Sequence, residues 1–327
     1  MNLRSAMAKA LGLFSGGLDS MLAALVLRRA GVEVEGVTFV TPFFDDQRAR
    51  QSAEHIGLNL SVLQVGPEHL ETVVKAPRYG YGSNMNPCID CHGYMFRKAG
   101  ELLEERGFDF LFSGEVLGQR PMSQNRQALG LVAKLSGRPE LILRPLSALS
   151  LPITSMEEAG LVDRAKLAGL SGRSRKPQME LAAQLGVSDY PAPAGGCLLT
   201  EPGFSRRLKD LLAHAPQAGV DQVEILKHGR HLRLSPSAKL AVGRNQAENQ
   251  ILETLLPAGS LRLVAVGVPG PLGVYQGPAQ GPDLELAARV VAGYGKAPAD
   301  KPLEVRAGEQ SLTVTPMPRR QAHGMLL

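Results

Sequence analysis

The sequence predicts a doubly wound α/β domain built on a parallel sheet, followed from about residue 202 by a smaller α+β domain. Three observations carry this expectation. The chain opens with a strand, a glycine-rich turn, a helix and a second strand, and this unit recurs in looser form to about residue 200. Beyond Glu201 the texture changes to short strands, short helices and a surplus of basic residues. A length of 327 residues suits two domains.

The first strand is the apolar run Ala10-Leu11-Gly12-Leu13-Phe14, stopped by Ser15-Gly16-Gly17. Ser20 to Ala30 then places Met21, Leu22, Leu25 and Val26 at helical spacing, with Gly31 positioned to end the helix. Val32 to Val40 alternates and reads as the second strand. Strand, turn, helix and strand in this order imply parallel pairing and a right-handed crossover. Further along, Asp46 to Ile56 is expected to be helical, and Leu58 to Val65 a strand. Asn86 to Arg106 is a loop entering a helix, and Phe108 to Ser113 a strand. Leu141 to Pro145 is the next strand, with helical turns over Glu157 to Leu170 and a helix over Gln178 to Leu185. Tyr190 to Gly196, rich in Pro, Ala and Gly, breaks the pattern. In the second half, Arg206 to His214, Gln246 to Leu256 and Leu284 to Tyr294 read as helices. Val223 to Ile225, Leu240 to Val242 and Leu261 to Val268 read as strands, Leu303 to Val314 as a hairpin, and the tail from Pro316 as loose.

Composition narrows the function. Hydrophobic residues at 44% and charged residues at 20% exclude wholesale disorder. With no Trp and 5% aromatics, base stacking on many aromatic platforms is not the main binding device. The net charge of +5 suits a nucleotide or RNA partner. Most of it sits beyond residue 200, where 15 Lys and Arg face 11 Asp and Glu. No apolar stretch approaches the length of a membrane span, and Met1 to Ala10 does not read as a secretory signal. Three cysteines, an odd number, argue against a disulfide scaffold. A cytoplasmic protein is the expectation.

Ser15-Gly16-Gly17-Leu18-Asp19-Ser20 is the strongest local signal. Two glycines after a strand let backbone N–H groups face a common hollow. Ser15 and Ser20 offer hydroxyls, and the helix that follows contributes its positive N-terminus. Asp19 beside bound phosphates suits Mg²⁺, which takes a carboxylate together with phosphate oxygens. The string lacks the Gly-Lys-Ser/Thr of a Walker A loop. It resembles the SGGxDS loop of the PP-loop ATP pyrophosphatases, which adenylate a substrate and release pyrophosphate. A second stretch, Ser113-Gly114-Glu115-Val116-Leu117-Gly118-Gln119 followed by Ser123-Gln124, resembles the TGESLGQ…SQ segment of tRNA 4-thiouridine synthetases and departs from it at Arg120-Pro121. The resemblance implies that Gly114 and Gln124 contact ATP, that Thr38 and Phe39 seat the adenine, and that Arg97 reaches the nucleotide.

Cys88-Ile89-Asp90-Cys91 sets two thiols three residues apart ahead of a helix whose N-terminus favours thiolates, and Cys197 follows a Gly-Gly pair. The residues alone leave three readings open: an iron–sulfur cluster with one open iron, a persulfide on Cys88 or Cys91 resolved by Cys197, or a zinc site completed by His92. The arrangement resembles the cluster-dependent tRNA thiolation enzymes of the PP-loop group. That resemblance implies a [4Fe-4S] cluster on Cys88, Cys91 and Cys197, with sulfur delivered by a separate donor such as a cysteine desulfurase.

Arg173, Arg175 and Lys176 form a compact basic patch suited to RNA phosphates. Lys227, Arg230 and Arg233 alternate with apolar residues, and Lys239 and Arg244 flank a short strand. The stretch HGRHLRLSPSAKLAVGRNQAEN is similar to the RNA-binding region of NFACT-type proteins. Together these features imply a PP-loop ATP-binding thiolation domain over residues 1–200 and a basic RNA-binding-like domain over 201–327. The implied enzyme adenylates a carbonyl of a tRNA base and replaces the oxygen with sulfur. An amidating PP-loop ligase would need the phosphate loop but not the cysteines. A non-catalytic RNA-binding protein with a relic loop would need neither.

Overall fold

The computed structural model describes residues 7–190, 192, 197–296 and 298–327. It separates into two compact units, Met1–Thr200 and Glu201–Leu327. The first unit contains β1 (Lys9–Leu13), α1 (Leu18–Arg29), β2 (Glu33–Val40), α2 (Gln47–His55), β3 (Leu60–Gln64), α3 (Gly66–His69), α4 (Cys88–Arg106), β4 (Phe110–Ser113), α5 (Arg126–Ser136), β5 (Ile142–Leu143), α6 (Ser155–Glu158) and α7 (Lys176–Gln184). Its strands pair in parallel in the order β3-β2-β1-β4-β5.

Alternate strand residues face opposite helical layers. Leu11 and Leu111 pack toward α4 with Val37 and Phe96, whereas Ala10, Phe110 and Phe112 pack toward α1 with Leu22 and Val26. The chain therefore winds outward through β2 and β3, returns, and continues outward from the other side of β1. The order reverses between β1 and β4, and at such a switch point the carboxyl ends of the strands leave a crevice for a ligand.

The second unit contains α8 (Pro202–His214), α9 (Val220–Glu224), β6 (Arg230–Ser235), β7 (Ala238–Val242), α10 (Gln246–Thr254), β8 (Leu261–Ala265), β9 (Gly273–Gln276), α11 (Pro282–Tyr294), β10 (Leu303–Ala307), β11 (Gln310–Val314) and α12 (Arg319–Ala322). Its antiparallel sheet runs β11-β10-β8-β9-β7-β6. One face buries Leu240, Leu263, Tyr275 and Val305 against Ala287, Ala288 and Val291 of α11. The expected fold class, a doubly wound parallel sheet with a smaller α+β domain, is borne out.

Several elements differ from expectation. Helix α4 begins at Cys88, so Cys88 and Cys91 occupy its first turn rather than the loop before it. Val220–Glu224 is helical where Val223 to Ile225 suggested a strand; the Gln222 side chain accepts from the Gly219 N–H and caps the turn. Only Ser155–Glu158 and a single 3₁₀ turn at Arg164–Lys166 are helical between residues 157 and 170. The tail is not loose: α12 packs on α11, and Leu326 bridges to Leu232 on edge strand β6. Helix α5, the α3 turn and strand β9 had no clear sequence signal. The loop at 190–196 lies largely outside the described residues. Among the described residues, no helix is long and apolar enough to cross a membrane.

Candidate active site

The glycine loop connects β1 to α1 at the switch point. Gly16 adopts φ +72°, a left-handed conformation that favours glycine, and its own backbone lies against α2: an added Cβ would fall 2.4 Å from the Arg48 carbonyl oxygen. Ser52 of α2 donates to the Gly16 carbonyl at 2.8 Å, which fixes the loop. Ser15 is exposed, while the buried Ser20 hydroxyl donates to the Gly17 carbonyl at 2.8 Å and stabilises the helix start. Gly114, immediately after β4, lies against the Asp19–Ser20 peptide, where an added Cβ would meet the Asp19 carbonyl carbon at 2.4 Å. Residues about a hundred positions apart thus meet in one crevice.

Asp19 Oδ2 accepts from Gln119 Nε2 at 3.0 Å, whereas Oδ1 is buried without a hydrogen-bond partner among the described residues. Burial raises its carboxyl pKa against the opposing pull of Gln119, Arg175, Arg120 and Gln178. The amide oxygens of Gln119, Gln124 and Gln178 are likewise buried and have no hydrogen-bond partner among the described residues. Buried polar atoms normally have partners, so this concentration of orphans marks a place built for polar ligand atoms. A cation at Asp19 Oδ1, shared with phosphate oxygens, fits this donor set. The loop after β4 is held by Gly118 N–H to the Gln124 carbonyl at 2.7 Å and by Gly172 N–H to the Leu117 carbonyl at 2.7 Å. The second contact draws the basic patch toward the crevice. Arg175, the residue before α7, acts on Asp19, whereas Arg173 is exposed and exposed Lys176 lies 3.9 Å from Glu180.

The other expected nucleotide contacts are Arg97, Thr38 and Phe39. Arg97 is exposed on α4, 3.8 Å from Glu68 and over the Tyr94 ring, neither of which belongs to the phosphate loop. The α4 residues that face the sheet are instead Phe96, Ala99 and Leu103. Thr38 and Phe39 do end β2 near the crevice edge, yet both are buried and the Phe39 ring belongs to the core facing α4.

The three cysteines are free thiols that act on one another electrostatically. Cys91 is buried, and burial pushes its thiol well up, reinforced by Cys197 and Cys88. Burial likewise lifts Cys197 to about 11. The expectation that the helix N-terminus lowers these thiols is overturned at Cys91, because loss of water outweighs the helix field. Loops gather them: Asp90 accepts the N–H groups of Arg78 and Tyr79, Asn86 Nδ2 donates to Cys88 Sγ at 3.3 Å, and Leu198 N–H reaches the Phe43 carbonyl. Among the described residues, no three Cys, His, Asp or Glu converge as a site for one metal ion. His92, the candidate fourth zinc ligand, is engaged by Glu115 at 2.9 Å. A multinuclear cluster binds each thiolate to a different iron, and three thiols close enough to influence one another electrostatically match its ligand type.

Glu115 joins the two regions. It lies one residue past Gly114, accepts from Arg144 Nε at 2.9 Å and pairs with His92, the neighbour of Cys91. Burial pushes its carboxyl up, but Arg144 and His92 outweigh this and hold it at about 2. Sequence reasoning quoted Glu115 and Gln119 without giving them roles, named Arg120 only as a departure, and missed Gln178 and His69. The imidazole of His69 contacts Cys91 amid the rings of Phe43, Phe44 and Tyr94.

In the second unit the expected RNA-contacting cations separate into groups. Arg233 forms a two-pronged pair with Asp210, at 2.6 and 3.0 Å, and buried Lys239 sits 3.8 Å from the same carboxylate. Burial lowers Lys239 to about 8. The alternation that suggested an outward basic face thus turns Lys239 inward. Lys227 pairs with Glu224 and Arg244 with Glu248. Arg230 has no carboxylate partner among the described residues.

The first unit is a doubly wound parallel α/β fold with its glycine loop at the switch point. Residues 229–324 match a family model described as NFACT protein RNA binding domain, and residues 7–89 match a family of unknown function (DUF7411). The tRNA-specific 2-thiouridylase MnmA 1 of Syntrophus aciditrophicus is 30% identical over 216 residues, 60% of this chain and 54% of the relative. A probable tRNA sulfurtransferase of Thermotoga maritima is 26% identical over 219 residues, covering 64% and 51%. A crystal structure of a 4-thiouridine synthetase–RNA complex with bound ATP overlaps 55% of this chain and 52% of its own, at 23% identity and a TM-score of 0.36. The chain spans about half the length of the curated relatives it matches. The resemblance read from the two motifs is borne out by these relatives.

Proposed function

We propose that the chain is an ATP-dependent tRNA sulfurtransferase. The observation that carries this reading is the junction at Glu115, which ties a phosphate-loop crevice to a three-cysteine site across a single residue step on each side. An amidating ligase would have no use for the second half of that arrangement.

The loop at Ser15, Gly16 and Gly17, with the start of α1, would hold the pyrophosphate of ATP. Asp19 would hold Mg²⁺ through its unpartnered oxygen, and Gly114, Gln119 and Gln124 would position the nucleotide. Arg120 and Arg175 would balance phosphate charge beside Asp19. The base carbonyl oxygen attacks the α-phosphorus, the bond to the pyrophosphate bridging oxygen breaks, and magnesium pyrophosphate leaves. Hydrosulfide, released from the persulfide of a separate donor such as a cysteine desulfurase by two thiols of a thiol reductant that end as a disulfide, then adds at the activated carbon; the base itself changes no oxidation state. AMP departs with the former carbonyl oxygen, and loss of a proton leaves the thiocarbonyl.

Cys88, Cys91 and Cys197 would hold a [4Fe-4S] cluster, which when bound supplies an iron with no protein ligand. The relatives named for tRNA thiolation and the match to an RNA-binding domain support tRNA as substrate. The test is pyrophosphate release from ATP by the anaerobically purified chain. It should depend on tRNA and be lost in Asp19→Ala; release equal with and without tRNA opposes the proposal.

A further inference from the structure

Of the cations that the alternating pattern singled out in the second unit, Arg230 alone has no carboxylate partner among the described residues, and the fold sets beside it an arginine that the pattern did not mark. Three elements meet at the C-terminal end of α11: the first residue of β6, Tyr294 at the helix end, and the first residue of α12. The Arg230 guanidinium lies 4.9 Å from the centre of the Tyr294 ring and that of Arg319 lies 5.8 Å from it. Arg319 also donates to the carbonyls of Gly293 and Tyr294, which anchors it on the negative end of the helix. Arg230 makes no side-chain hydrogen bond among the described residues, and neither arginine has a carboxylate partner there. Exposed Lys296, two residues past Tyr294, and exposed Arg320, next to Arg319, are also without carboxylate partners among the described residues.

Elsewhere in this unit the expected cations are neutralised: Lys227 by Glu224, Arg233 by Asp210 and Arg244 by Glu248. A guanidinium lying on an aromatic ring keeps its edge N–H groups available, and arginine forks match phosphate oxygens. We propose that Arg230 and Arg319, held on Tyr294, contact backbone phosphates of the RNA substrate. This rests on the reading of the chain as an RNA-acting enzyme and adds which surface the RNA meets.

The test is the salt dependence of tRNA binding by the full chain. Each phosphate neutralised contributes about 0.7 to 0.9 to the slope of log affinity against log salt. Arg230→Gln and Arg319→Gln should each reduce the slope by about that amount, and Arg230→Lys should restore most of it. Arg306→Gln, which removes an exposed charge from β10 in the same unit, should leave the slope at the wild-type value. Because Arg319 holds helix carbonyls, thermal melting accompanies its variant; Arg230, with no side-chain hydrogen bond among the described residues, carries the test alone if Arg319→Gln is unstable. Salt-dependent binding with an unchanged slope in Arg230→Gln overturns this surface and leaves the proposed function standing. No tRNA binding by the wild-type chain overturns both.

Discussion

The Nε2 atom of His69 lies 3.2 Å from the sulfur of Cys91, and both side chains are buried. Burial lowers the imidazole to about 4, so the ring is neutral at pH 7 and accepts from the Cys91 thiol or donates to its thiolate, according to its tautomer. Among the described residues Nδ1 has no partner, so none of them dictates which nitrogen carries the proton. Under the proposed function, His69 would orient the Cys91 sulfur without binding iron itself. His69→Phe keeps an aromatic ring in the Phe43, Phe44 and Tyr94 cage but removes the contact. Iron retention or thiolation should fall by about 10- to 100-fold; unchanged iron content and rate would show that the contact only fills space.

Gly114→Ala tests the crevice by geometry. The new methyl would fall 2.4 Å from the Asp19 carbonyl carbon, so β4 and α1 must separate. A destabilisation of about 1 to 3 kcal/mol is expected, with weakened ATP binding. Urea melts and nucleotide titration check both. An unchanged melt would mean that the close approach is absent.

Asp19→Asn retains size and the possibility of a hydrogen bond to Gln119 but removes the charge. Pyrophosphate release should fall on the order of 10²-fold, with little change in folding stability. A rate within a few-fold of wild type would remove Asp19 from the reaction.

His231 sets a pH dependence. Burial, with Lys239 adding to it, lowers this imidazole to about 3, and among the described residues its Nδ1 has no hydrogen-bond partner. Between about pH 6.5 and 3 the unfolded chain binds a proton there that the folded chain does not. The stability contribution is therefore fully present above pH 6.5 and is lost as pH falls, by at most about 1.4 kcal/mol per unit. Denaturant midpoints of the second unit's transition should decline from pH 7 to 5, less steeply in His231→Gln. A flat wild-type profile contradicts this.

How much of this was legible in sequence depended on distance along the chain. The phosphate loop is a contiguous string, and the strands around it carry uninterrupted apolar runs, so sheet and loop could both be read. Glu115, Gln119 and His69 act through partners 22 to 100 residues away. No periodicity encodes such pairings. Lys239 misled because alternation fixes which face a strand residue takes but not whether that face meets solvent. Here α8 supplies Asp210 and covers the site. Cys91 misled for a related reason: the first turn of a helix is a favourable place for a thiolate only when water or a cation reaches it.

The central claim is that one chain activates a tRNA base with ATP and replaces its oxygen with sulfur. The most direct measurement is nucleoside mass spectrometry of tRNA incubated anaerobically with iron-reconstituted protein, ATP, Mg²⁺ and sulfide, with pyrophosphate counted in parallel. The account predicts a thiolated nucleoside formed in step with pyrophosphate, and neither sulfur incorporation nor bound iron in Cys88→Ser. Pyrophosphate released without sulfur in the RNA, at a rate unaffected by Cys88→Ser, would contradict it.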